Sequence, residues 1–127
     1  ISQFKATARA TLPFLAAPRR DLRGRHVCYV AGADLAHAGP MYGDARPLDP
    51  VERTELAALD RRTLAALEEG DPEAFFRAAV RQDDRRRLCG VAPIYAAMKA
   101  SGLGAKVLGY AQWTDGQDLV SFAAAAG

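Results

Sequence analysis

Long apolar runs are missing from this sequence. No stretch approaches the roughly 20 residues that a helix needs to cross a bilayer, so a membrane span is not expected. Cysteine is scarce as well: Cys28 and Cys89 are too few for a disulfide framework, and no signal-peptide pattern precedes them. A reducing, cytoplasmic setting is the resulting expectation. Charge of one sign is also lacking, because 17 Lys and Arg stand against 15 Asp and Glu. A formal charge of +2 is too small to imply nucleic acid or an anionic surface as partner. No internal repeat and no low-complexity linker occurs, apart from the short alanine run near the C-terminus. What remains is a chain of 127 residues, half of them hydrophobic and a quarter charged. That composition reads as one folded domain over residues 1–127, long enough for a core but short for a complete α/β enzyme.

The first residue is Ile1 rather than Met, so ligands that a site needs and this chain lacks are expected elsewhere, upstream or on another piece of chain. Phe4 to Ala17 has helical composition interrupted by Pro13, and a basic turn through Pro18, Arg19, Arg20 and Arg23 follows. Val27, Cys28, Tyr29 and Val30 form a short apolar run closed by glycine, the pattern of a strand buried on both faces. Asp49-Pro50-Val51-Glu52 has the form of a capping box with proline at the first helical position, and predicts a helix from there to about Glu68. Leu56, Leu59, Leu64 and Leu67 share its apolar face with Thr63 beside them, Asp60 falls at the margin, and Arg53, Arg61, Arg62 and Glu69 turn to water. Asp71-Pro72-Glu73 opens a second helix that buries Phe76, Ala79 and Val80. A third begins near Pro93, carries Ile94, Tyr95 and Met98 at core spacing, and stops at Ser101-Gly102. Val107 to Trp113 and Leu119 to Ala124 read as a hairpin turned by Thr114-Asp115-Gly116-Gln117.

Three side chains carry the candidate chemistry. Asp34 and His37 follow the apolar run at 27–30, the edge at which ligands bind in open α/β sheets. A carboxylate beside an imidazole fixes its tautomer and leaves the other ring nitrogen to bind a metal or move a proton. The plainer reading is an Asp that caps a turn. Cys89 lies between a basic run and a predicted helix start, where Arg85, Arg86, Arg87 and the helix N-terminus favour a thiolate. Its plainer reading is a buried structural cysteine, as is that of Cys28 within the apolar run. The three arginines read as solvated surface, and His26, ahead of the run, as structural.

Several blocks together resemble the C-terminal half of the Memo family. They are Ala31 to Pro40, Leu88 to Tyr95, Gly109-Tyr110-Ala111-Gln112, and Val120 to Ala124, in the family's order. Memo proteins are similar in fold to class III extradiol ring-cleavage dioxygenases. The resemblance therefore implies an α/β fold with a central, mostly buried sheet flanked by helices and a metal-binding pocket at the strand ends. It marks Asp34 and His37 as pocket residues with catalytic roles, and His37 and Cys89 as metal ligands able to hold iron or copper. Tyr110, Gln112 and Ser121 fall in matching blocks and read as structural. The family's further histidines belong to an N-terminal half, whereas this chain has only His26 and His37. One imidazole with Cys and Asp falls short of the two-His-one-carboxylate face of oxygen-activating iron, so the chain holds at most half a site.

Two expectations result. In one, the chain is part of a metal-dependent, dioxygenase-like redox enzyme, with Cys89 a ligand, His37 a ligand or acid/base, and Asp34 its orienting partner. In the other, it is a non-catalytic module that binds a peptide or small molecule in the same crevice. Either way, an N-terminal half or a second chain is expected to complete the fold, and an apolar face is expected to be exposed without it.

Overall fold

The structure, a computed structural model, describes residues 24–80 and 86–127. The helix expected over Phe4 to Ala17 and the basic turn after it lie outside the described residues, as does Arg85. Among the described residues, three α-helices, α1 (Pro50–Glu68), α2 (Pro72–Ala79) and α3 (Val91–Ser101), pack beside a three-stranded antiparallel sheet, an α/β mix. The sheet has the order β1-β3-β2, with β1 at His37–Ala38, β2 at Lys106–Thr114 and β3 at Leu119–Ala126.

The helix starts form as their sequences dictate. The Asp49 carboxylate accepts from the backbone N–H groups of Val51 and Glu52, both at 2.9 Å, while Glu52 reaches back to the Asp49 N–H. Asp71 caps α2 through Glu73 and Ala74 in the same way. Helix α3 begins two residues before Pro93, which sits within its first turn, where no intrahelical acceptor awaits an N–H. In the hairpin, Gly116 takes the left-handed backbone that the turn requires, and Asp115 accepts from Gln117 and Asp118.

Helix α2 packs against both α1 and α3, and this divides its two phenylalanines. Phe75 is sealed in the main apolar cluster with Leu64, Leu67, Tyr95 and Met98, and Ala79 one turn on is buried as well. Phe76, expected to be the buried one, is half-buried and meets Tyr95 edge-on at 5.7 Å. In the hairpin, the register shift at Leu108 lets Val107 and Tyr110, three residues apart, both face the core. The opposite surface leaves Leu108, Trp113 and Phe122 exposed.

The run at 27–30 departs from expectation. It forms no strand, its Val27 and Val30 are exposed, and so is Cys28. A strand requires a neighbour to take up its backbone donors and acceptors, and among the described residues none pairs with this run. Strand β1 instead comprises His37 itself and Ala38, paired with Val120 and Leu119.

Asp60 is the second departure. Expected at the margin of α1, it has no exposed surface at all. One carboxylate oxygen accepts from Arg86 Nη1 at 3.2 Å, the other from Tyr110 Oη at 3.0 Å and Ser121 Oγ at 2.5 Å. Arg86 also donates to Thr63 Oγ1 and the Ala78 carbonyl, so this arginine is buried rather than solvated. Three chain segments thus converge on a single buried carboxylate, each through a side-chain donor. Burial first, and then the Asp60 charge, push the Tyr110 phenol from its ordinary 10 up to about 12.

Two outcomes test this packing. Phe75→Ala should cost about 3–5 kcal/mol in urea unfolding, and Phe76→Ala clearly less, whereas equal losses would contradict the assignment of depth. The second concerns pH. Tyr110 holds its proton more tightly in the fold than in the unfolded chain, so its contribution is complete below pH 10 and is lost as pH rises from 10 to about 12. Denaturant titrations across that window should show stability falling less steeply in Tyr110→Phe than in the wild type, and identical slopes would contradict the phenol's role.

Candidate functional site

Residues 34–38 are held from beneath by both apolar clusters. Leu35 belongs to the larger one, Ala36 and Ala38 to a second with Leu56 and Leu119. The backbone is fixed as firmly. Leu35 N–H donates to the Ser121 carbonyl at 2.8 Å, Ser121 N–H to the Ala36 carbonyl at 2.9 Å, and Ala36 N–H to Ser121 Oγ at 2.8 Å. His37 N–H donates to the Arg86 carbonyl at 2.6 Å. With Leu35, Ala36 and Ala38 anchored inward, the Asp34 side chain is left half in solvent and that of His37 is mostly covered, at 56% and 16% exposure.

Cys89 reaches the same place from the start of α3. Its thiol lies 3.5 Å from the Asp34 carbonyl, as a donor to it. Gly90 makes this approach possible, since a Cβ there would overlap the Asp34 carbonyl. Asp34, His37 and Cys89 accordingly each offer one donor atom within a span of 4.8 Å. His26 is exposed and is not part of that group.

The imidazole is incompletely satisfied. Its Nε2 is 3.8 Å from Asp34 Oδ2, too far for a direct hydrogen bond. Its Nδ1 is buried and has no hydrogen-bond partner among the described residues. The edge of the ring meets Tyr42, 5.0 Å away between centroids, on the 3-10 turn Pro40–Tyr42. Gly39 before that turn has a φ of 116°, and any Cβ would collide with Asp118, whose carboxylate accepts from Met41 N–H.

A second arginine braces the loop from outside. Arg87 grips Asp44 with both terminal nitrogens, at 2.7 and 3.2 Å, and reaches the His37 carbonyl at 3.4 Å. It does so from a φ of 47°, a left-handed backbone that a non-glycine residue adopts only when its surroundings hold it there. The expectation that the arginines before Cys89 form a solvated surface is therefore corrected for these two. Arg86 faces Asp60 and Arg87 faces Asp44, each neutralised by a carboxylate. Neither Asp44 nor Asp60 stands out in the sequence as a functional residue, and Arg86 and Arg87 stand out only as neighbours of the Cys89 thiol. The only hint for Asp60 was its place at the edge of an apolar stripe.

The donor set fits a transition metal. Ligand atoms around a tetrahedral ion at bond lengths of about 2.0–2.3 Å lie about 3.5 Å apart, so closing the present spacing takes about an ångström. Thiolate and imidazole together suit copper, iron or zinc better than magnesium or calcium. A buried ring nitrogen without a partner is consistent with an imidazole that the protein alone does not satisfy.

No curated protein matches the chain. The family model of the Memo-like proteins matches residues 3–126, a span that includes all three donors, the helices and the hairpin, and the chain belongs to this family.

Proposed function

We propose that this chain contributes to a metal-dependent, dioxygenase-like redox centre in which His37 and Cys89 ligate iron or copper and Asp34 acts beside them. The observation that carries the reading is the convergence of a thiol, an imidazole and a carboxylate within 4.8 Å on a braced loop. Bound there, the metal would supply Lewis-acid and one-electron redox chemistry at the cluster. Asp34, half in solvent, is placed to accept a proton at Oδ2 and to orient the imidazole once the 3.8 Å gap closes. The buried Leu35 and Ala36 exclude water from beneath, and the Arg87–Asp44 pair limits how far the loop can open. In this reading a further segment or a second chain supplies the remaining imidazoles.

The donor count favours a second reading. With a single imidazole in the group, the chain is one histidine short of the facial triad, which suits a module that binds a peptide or small molecule without turnover.

Copper or iron content after a fixed chelator wash tests the first reading. Wild type and Cys28→Ser should retain metal equally, while Cys89→Ser and His37→Ala should lose most of it, because each removes one of the two ligands this chain supplies. Equal content in all four proteins would remove these residues from any metal site and leave the binding module ahead.

A further inference from the structure

We propose that Asp60 is a positioning residue for the Asp34, His37 and Cys89 cluster, acting through Ser121 and Arg86. The proposal rests on the metal-site reading above.

Two hydrogen-bonded routes lead from Asp60 to the backbone of the site. The first passes through Ser121, which donates its hydroxyl proton to Asp60 and so turns its lone pairs toward Ala36 N–H, 2.8 Å away. The second passes through Arg86, whose guanidinium is held by Asp60 and whose carbonyl accepts from His37 N–H at 2.6 Å. The routes meet at adjacent residues, Ala36 and His37, so one carboxylate sets the backbone from which the imidazole projects. Arg86 is also three residues from Cys89, which links the same carboxylate to the chain that carries the thiol.

Stability alone is a weak reason for such a network. Replacing a buried ion pair by well-packed apolar residues of similar volume is often neutral or favourable. Asp60 and Ser121 have no exposed surface and Arg86 has 5%, so the desolvation cost is borne in full. A satisfied buried network does, however, define one geometry where an apolar core would permit several. Here that geometry is delivered to the two residues under the imidazole. Asp60 touches none of the three donors, and its effect on them is therefore indirect.

Asp60→Asn keeps the size and removes the charge, Ser121→Ala removes the hydroxyl that joins Asp60 to Ala36, and Phe75→Leu perturbs the core without touching either route. Cobalt(II) affinity, read from the thiolate charge-transfer band, should fall about tenfold in the first two and stay at the wild-type value in the third. The ring resonances of His37 and the alkylation rate of Cys89, resolved from Cys28 by peptide mass spectrometry, should change in the same two variants without any metal. Wild-type values for all three readouts in folded Asp60→Asn or Ser121→Ala would overturn the proposal, as would equal changes in Phe75→Leu. If Asp60→Asn does not fold, Ser121→Ala decides alone. If the wild type binds no cobalt, the metal reading fails, and the His37 and Cys89 readouts still decide the positioning role.

Discussion

A carboxylate with no exposed surface has to be satisfied by the protein, and that demand on Asp60 organises the rest of the structure. Its partners come from the segment before α3 and from both hairpin strands. An apolar residue at this position would pack helix against sheet in many ways, whereas three directed donors allow only one. The hairpin is thereby registered on α1, and the segment 35–38 is registered on the hairpin through Ser121. The site loop inherits its position from a residue that lies outside it.

Much of this architecture was legible in the chain because its signals are local. Asp49 with Glu52, and Asp71 with Pro72, are cap patterns whose hydrogen bonds close within four residues, so both helices begin where they were expected. The Asp115-Gly116 turn is equally self-contained, and the hairpin extends beyond the predicted strands by only one or two residues at most ends. What failed depends on distant partners. The run at 27–30 has the composition of a strand, but composition supplies no neighbour. Asp60, Arg86 and Ser121 lie 26 to 61 residues apart along the chain, and nothing in a helical wheel shows that they meet.

The candidate site falls between these cases. Asp34 and His37 are three residues apart and were seen together, and Cys89 was joined to them only through the resemblance to the Memo family. The structure brings the thiol to the Asp34 carbonyl and shows how, through the glycine that follows Cys89. The arginines beside it mislead in the sequence because a basic run is ordinarily a solvated surface, and here two of its members serve buried or half-buried carboxylates. Membership of the Memo-like family names no reaction.

The central claim is that His37 and Cys89 hold one and the same metal ion. X-ray absorption at the copper edge of the copper-loaded protein addresses it directly, since sulfur and imidazole scatterers have distinct signatures around the absorbing ion. The account predicts a first shell containing one sulfur together with at least one imidazole, and the sulfur contribution should vanish in Cys89→Ser. A shell of light nitrogen and oxygen scatterers alone, with no sulfur in the wild-type protein, would contradict it.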